Sequence, residues 1–376
     1  MAGIYIHIPY CKQKCHYCDF FKTSSLGSIQ DFLEALQREI RVQKDYLDGE
    51  AIETIYFGGG TPSVLRPSEI GIIIRWLKDI YPVQAEVEIT LEANPDDLRE
   101  NYAAALPEAG VNRLSMGIQS FFDEQLELLN RRHSKAQAIE AVQLAKKSGF
   151  HNISIDLIYG IPGMSLQMWN SNIEQALELN VEHISAYHLI FEPDTVFGDR
   201  KKKGTLSEIP DDESVEQYNM LRSKLTESGY LHYEISNFAR QNLVSKHNTS
   251  YWQQKKYLGL GPSAHSYNLK TRQWNERNLA GYIKLLNRNT VPYELEQLDE
   301  STMFNEYLMT SMRTEWGSSL DYVKSTFDDK FGLFLLEQLK EEQFRANFEI
   351  SKSHIKIKPE KWFISDHILS QLFYVD

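Results

Sequence analysis

Over the first 236 residues of this 376-residue chain, short apolar runs alternate with amphipathic stretches. The runs Ile4–Ile8, Thr54–Phe57, Glu86–Leu91, Arg113–Gly117, Asn152–Ile158 and His183–Ile190 are rich in Val, Ile, Tyr and Thr. Several carry apolar side chains at neighbouring positions, as strands buried on both faces do. Between them, helical patterns lie near 28–47, 67–80, 96–109, 121–129, 134–148 and 165–179. Strands alternating with helices imply a parallel sheet with right-handed crossovers. Six such units predict an α/β fold, a partial or complete parallel β/α barrel rather than a flat doubly wound sheet.

Beyond the sixth run the pattern loosens. Lys201-Lys202-Lys203-Gly204 predicts an exposed loop, and 211–228 a further helix. Residues 237–297 are polar and aromatic with little periodicity and are expected to form a connecting region. Helical patterns return at 300–314, 318–328 and 332–342, and two apolar alternations follow at His354–Lys358 and Trp362–Ile364. They predict a small, mainly helical, winged-helix-like C-terminal domain ending in a hairpin. At roughly 150 residues per domain, two to three units are expected. The boundaries are drawn at 1–236, 237–297 and 298–376.

Composition narrows the function classes. Hydrophobic residues at 42% and charged residues at 24% make an ordinary globular chain. A net charge of −12 argues against phosphate-driven binding of nucleic acid. No stretch approaches the roughly 20 apolar residues of a membrane span. Met1–Ile8 lacks the basic start of a secretory signal and soon reaches Pro9. The only cysteines are Cys11, Cys15 and Cys18, which is no disulfide framework and points to a reducing compartment. The chain is expected to be cytoplasmic, with any membrane association peripheral and through partners.

Those cysteines form a C-x3-C-x2-C loop directly after the first predicted strand. Three thiolates on one loop can wrap a soft metal centre. Structural zinc wants a fourth ligand, which His7 or His16 would have to supply. The other reading is a 4Fe–4S cluster on three cysteines, with one iron left open for a small molecule. Gly58-Gly59-Gly60-Thr61-Pro62 ends the second strand. Glycines there either let backbone N–H groups approach a ligand or merely make a tight connection.

The cysteine loop resembles the radical S-adenosylmethionine superfamily, in which the open iron chelates the amino and carboxylate groups of that cofactor. The resemblance narrows to the oxygen-independent coproporphyrinogen III oxidase group and, within it, to the HemW heme chaperones. It is carried by Tyr5-Ile6-His7-Ile8-Pro9, Phe57–Pro62, Glu92-Ala93-Asn94-Pro95, Ser115–Ser120, Arg131-Arg132-His133 and Asp156–Gly163. It implies cofactor contacts at Tyr5, Gly59, Gly60, Thr61, Glu92, Gln119, Arg131 and Asp156. Each stands at or just past the C-terminal end of a predicted strand, where β/α barrels build their sites. Glu92 could accept from the cofactor's ammonium or ribose, Gln119 or Asp156 could bind ribose, and Arg131 could pair with a carboxylate. Bland alternatives are a helix cap for Glu92, a solvated charge for Arg131 and a loop hydrogen bond for Asp156. Tyr17 could shield the cluster or cover a ligand, or simply pack.

His247-Asn248-Thr249-Ser250-Tyr251-Trp252 matches the H-N-x-x-Y-W signature of the heme chaperones, where the histidine is associated with heme ligation. Imidazole is a usual axial ligand, and Tyr251 and Trp252 could pack on a porphyrin face. On the residues alone, His247 is equally a hydrogen-bonded histidine in an aromatic loop, and it is expected to lie outside the cofactor motifs. His265, in Gly261-Pro262-Ser263-Ala264-His265-Ser266, receives no role. The oxidases continue their motif to C-x3-C-x2-C-x-C and carry a segment before it. Here Cys18-Asp19-Phe20 follows, and the first cysteine is residue 11. The resemblance therefore implies a heme chaperone with a 4Fe–4S cluster and S-adenosylmethionine, delivering heme to acceptor hemoproteins. The alternative is coproporphyrinogen III oxidase.

Overall fold

The computed structural model describes residues 1–375. Asp376, the last residue of the expected C-terminal domain, lies outside the described residues. All six expected strands form, with helices between them. They run β1 (Ala2–Ile8), α1 (Ile29–Val42), β2 (Ile52–Gly59), α2 (Pro67–Ile80), β3 (Val83–Ala93), α3 (Glu100–Ala109) and β4 (Arg113–Gln119). There follow α4 (Asp123–Leu128), α5 (Lys135–Lys147), β5 (Ile153–Tyr159), α6 (Leu166–Glu178) and β6 (His183–His188). Pairing from β1 through β6 is parallel throughout. Ile4, Ile6 and Ile8 of β1 are fully buried on the helix-covered core, each contributing about 2 kcal/mol. The alternate residues Tyr5 and His7 therefore point to the other face.

Helix starts are written locally. Ser134 and Gln137 form a reciprocal cap on α5, and Ser165 accepts from the Met168 N–H at the start of α6. The pattern at 96–109 divides into a short 3₁₀ turn, Pro95–Asp97, and α3.

The first half of the expected loop at 201–204 is helix, since α7 spans Val196–Lys202, and Lys203-Gly204 form the turn that ends it. Thr195 caps it, Phe197 buries its inner side, and the lysines favour its C-terminal dipole. After α8 (Asp211–Glu227) come β7 (Leu231–Glu234), β8 (Asn237–Ala239) and α9 (Lys246–Trp252). Then follow β9 (Tyr257–Leu260), β10 (His265–Tyr267), β11 (Thr271–Asn275), α10 (Leu279–Leu286) and β12 (Tyr293–Gln297). The segment expected to be a connecting region thus extends the sheet on both sides. Its strands have three to five residues, too few to register as a period.

The sheet has twelve strands in the order β12-β11-β10-β9-β1-β2-β3-β4-β5-β6-β8-β7. Among the described residues its end strands, β12 and β7, are not paired with each other.

The C-terminal region is mainly helical, with α11 (Glu300–Ser311), β13 (Ser318–Ser319), α12 (Leu320–Thr326) and α13 (Asp329–Gln338). Its hairpin is β14 (Phe348–Ile350) with β15 (His354–Ile357), in a three-stranded sheet with β13. Trp362–Ile364, expected in that hairpin, lies instead in the 3₁₀ helix Pro359–Ile364. Pro359 starts that helix, and the buried Trp362 indole donates to the Ile357 carbonyl at 3.1 Å. Among the described residues no helix is long and apolar enough to cross a membrane.

Glu39 of α1 ties the two parts of the sheet together. Fully buried, it accepts from the Tyr282 hydroxyl (2.6 Å), the Asn275 amide (2.6 Å) and the Gly261 N–H (2.7 Å). Glu39→Ala would orphan three buried donors, at about 1–3 kcal/mol each when independent. Urea unfolding should show a loss of about 3 kcal/mol. Unchanged stability would mean that water replaces the carboxylate.

Candidate functional site

The inner face of the sheet encloses a cavity of about 1200 Å³. The residues expected to hold the cluster, the cofactor and the heme iron all line it: Tyr5, Cys11, Cys15, Tyr17, Cys18, Gly59, Gly60, Thr61, Glu92, Gln119, Arg131, Asp156 and His247. Strand alternation aims Tyr5, Glu92 and Asp156 inward, while the cysteines, Tyr17, Gly60, Thr61 and Arg131 come from loops past the strands and His247 from α9.

The cysteine loop leaves β1 and is anchored where it starts and where it ends. The Cys11 N–H donates to Thr23 O at 2.9 Å and the Thr23 N–H to Pro9 O at 2.7 Å. The Thr61 hydroxyl donates to Cys11 Sγ at 3.3 Å, and Arg131 Nη1 donates to Cys15 Sγ at 3.3 Å. Burial pushes the Cys11 thiol up, and the Thr61 bond opposes that. Both histidines nominated to complete a zinc site are otherwise engaged. His7 bonds Tyr5 OH (3.2 Å) and Phe21 O (2.8 Å), and His16 Nδ1 bonds Leu128 O (3.0 Å). Among the described residues no three His, Cys, Asp or Glu side chains are gathered to hold one metal ion. A cubane does not ask for that, because each thiolate binds a different iron.

The glycine turn seats the cysteine loop. Gly60 N–H donates to Ile8 O and Thr61 N–H to Tyr10 O, both at 2.8 Å. A Cβ on Gly60 would lie 2.8 Å from those same two carbonyl oxygens, so only glycine fits. Of the two readings of this turn, the N–H groups of Gly60 and Thr61 make the tight connection.

Two carboxylates stand on the cavity wall. Glu92 accepts from the Tyr56 hydroxyl at 2.8 Å and does not cap a helix. Burial and then the Asp156 charge lift it to about 7, against the pull of the Tyr56 bond. Asp156 accepts from Ser115 Oγ at 3.3 Å, and burial lifts it to about 6. Arg113 opposes both shifts by its charge. That arginine is 1% exposed, and its Nε has no partner among the described residues. Gln119 takes a left-handed φ of 69° where the β4–β5 register slips, so its side chain is set by a strained backbone. Arg131 is no solvated charge: Nη2 donates to Asn94 Oδ1 (2.7 Å) and Gly117 O (2.6 Å) while Nη1 holds Cys15. The Tyr17 phenol, raised by burial, lies beside Arg131 and Cys15.

His247 departs from expectation in place. It is 1% exposed on α9, stacked on Tyr56 (4.9 Å, 21°) and near Tyr5 (6.4 Å), among the cofactor motifs and not outside them. Nδ1 pairs with Thr54 Oγ1 at 2.7 Å and Nε2 with Tyr251 OH at 2.9 Å. Burial lowers its pKa to about 3, so the ring is neutral. Tyr251 lines the cavity, whereas Trp252 is not among the lining residues. Sequence reasoning assigned no role to Tyr56, Asn94 or Arg113. Strand alternation was the available signal for Tyr56 and Arg113; Asn94 stood in a matched stretch.

The chain matches the Radical SAM superfamily model over residues 5–176. It is 36% identical over 335 residues to heme chaperone HemW of Bacillus subtilis, covering 88% of this chain and 87% of that one. Heme chaperone HemW of Haemophilus influenzae is 33% identical over 378 residues, covering 97% and 94%. The chain belongs to the HemW family of the radical SAM superfamily. Coproporphyrinogen III oxidase (HemN) of Escherichia coli, a radical SAM enzyme, superposes with a TM-score of 0.84 at 21% identity, over 99% of this chain and 90% of that one. That likeness shows the fold alone. Membership of the superfamily implies a 4Fe–4S cluster and S-adenosylmethionine.

In this HemW-family chain the raised carboxylates cost stability. A folded pKa above the unfolded value means that the folded state holds a proton the unfolded state releases. For Glu92, stability therefore falls as pH rises from 4.5 to about 7 and levels off above. Glu92→Gln keeps an acceptor for Tyr56 and removes the penalty. Without ligands, the variant should be ~3 kcal/mol more stable than the parent near pH 8, and nearly equal to it near pH 4. Urea titration at both pH values measures the gap, and a gap independent of pH would refute the assignment.

Proposed function

We propose that this chain is a heme chaperone. It binds heme in the cavity, holds a 4Fe–4S cluster on Cys11, Cys15 and Cys18 with S-adenosylmethionine at the open iron, and delivers heme to acceptor hemoproteins. One observation carries this reading: three thiols and a set of imidazole and aromatic side chains share one cavity of about 1200 Å³. Pockets for a single drug-sized ligand span roughly 300–1,000 Å³. The space suits more than one ligand.

At the thiol end, Thr61 and Arg131 offer hydrogen bonds to sulfur, which would steady thiolates on a cluster. When bound, the cluster supplies one-electron chemistry and an iron site open to the cofactor. Glu92 would take the cofactor's ammonium, and Asp156 and Gln119 its ribose. Gly59, Gly60 and Tyr5 shape the wall beside them, and Tyr17 covers the approach from the cysteine loop. Arg131, fixed by Asn94 and Gly117, would pair with the cofactor's carboxylate.

Heme iron needs a nitrogen donor that the cluster does not use. His247 becomes one when Tyr251 releases its Nε2. The net charge of −12 does not suit nucleic acid as a partner. Work in the cytoplasm, with membranes reached only through a partner, completes the reading.

Anaerobic reconstitution should give about four irons and four sulfides per chain, and Cys15→Ser should abolish the iron–sulfur absorbance. Heme titration of that variant should still show uptake, with transfer to an apo-hemoprotein. Stoichiometric zinc without iron–sulfur absorbance would overturn the cluster. Turnover of coproporphyrinogen III by the reconstituted protein would replace the chaperone by the oxidase.

A further inference from the structure

Four histidines line the cavity: His7, His188, His247 and His265. Three are committed. His7 and His247 have both ring nitrogens hydrogen-bonded, and His188 Nε2 pairs with Ser214 Oγ at 3.0 Å. Among the described residues, His265 alone of the four engages no protein group through either nitrogen. It is also the exposed one, while its ring is held in place by stacking on Trp274 (6.0 Å, 27°).

Its surroundings suit a particular class of ligand. In the β10–β11 hairpin, His265 stands opposite Trp274 and Tyr267 opposite Arg272, so all four share one face. Phe20, 65% exposed, lines the same cavity from the cysteine loop. Arg277 links the two sides, donating to Asp19 O at 2.8 Å, yet its side chain stays largely open to solvent. Arg272 is different: it is bound to both carboxylate oxygens of Glu306 at 2.6 Å. A free neutral imidazole, aromatic surface on two sides and one available guanidinium are what a flat metal macrocycle with carboxylate arms requires. Burial and the charges of Arg272 and Arg277 lower the His265 pKa, which favours the neutral, ligating ring.

We propose that His265 ligates heme iron on the hairpin face, with Tyr267 and Phe20 against the macrocycle and Arg277 pairing with a propionate. This rests on the heme-chaperone reading and names the residue by which the open side of the cavity takes its cargo. Ligation here forms one bond from a neutral imidazole nitrogen to iron and displaces only water.

The test is a hemin titration of the full-length reconstituted chain, read by visible absorbance, for the parent, His265→Ala, His265→Met and His247→Ala. His265→Ala should bind roughly tenfold or more weakly and lose the parent's imidazole-ligated band, with iron–sulfur absorbance retained. His265→Met keeps a donor, so it should recover much of the affinity with a shifted band. Should His265→Ala lower the melting temperature, His265→Met decides the matter by its band alone. Parental affinity and spectrum in His265→Ala would overturn the proposal, as would a loss confined to His247→Ala. A parent chain that takes up no heme would instead overturn the chaperone reading itself.

Discussion

Strand β1 is hydrogen-bonded in parallel along both edges, to β2 on one side and β9 on the other. That double pairing decides where everything else lies. Leaving β1, the chain must turn outward at once, and the cysteine loop is that turn. On one flank it meets the Gly58–Thr61 turn ending β2, which closes on it through the Ile8 and Tyr10 carbonyls. On the other it meets the end of β9, where a Cβ on Gly261 would sit 2.5 Å from His7 O. Neither approach tolerates a side chain. The thiols, the glycine turn and the β10–β11 hairpin are therefore neighbours because one strand has no free edge.

The inner face of the same sheet is electrostatically unfinished. Glu92 and Asp156 are both buried; the charge of Arg113 acts on the two of them and that of Arg131 on Asp156, yet no direct ion pair joins these groups among the described residues. Buried charge without a partner is costly, and pKa values move so that the group sheds it. Arg131 is already engaged by Asn94, Gly117 and Cys15, so the two raised carboxylates leave their part of the site short of positive charge. A ligand bearing an ammonium and a sulfonium, as S-adenosylmethionine does, is the kind of molecule that balances it. The penalty in the empty protein and the attraction for a cation are then one property seen in two states.

The barrel-like half was legible because its strands are long enough to show consecutive apolar residues, as in Ile153–Tyr159, and because its cysteines are the chain's only three. The flanking strands were not legible. His265–Tyr267 and Asn237–Ala239 have three residues each, and they are strands only because β9 and β6 present edges to pair with. Tertiary context supplies that signal, and no local pattern contains it. His247 illustrates a second limit. Its motif marked it as special, but whether an imidazole is free depends on Thr54 and Tyr251. The first of these is distant in sequence and reaches it through the fold. Arg131 shows the reverse: an ordinary-looking charge whose partners, Asn94, Gly117 and Cys15, lie on three different segments.

On the heme-chaperone reading the chain must give up what it binds, and the two candidate imidazoles differ on that point. Taking iron at His247 means breaking its bond to Tyr251 in a fully buried place, at a net cost of about 1 kcal/mol before any bond to iron forms. Re-forming that bond on release would recover the cost, so His247 would resist loading and assist unloading. His265 has no such bond to lose and stands at the solvent side, where entry needs no rearrangement and departure gains none. A ligand that is easy to reach and one that tends to return to its own hydrogen bond make a pair suited to transfer. Deep burial of the iron against two committed imidazoles would favour storage instead, and the open hairpin face argues against it.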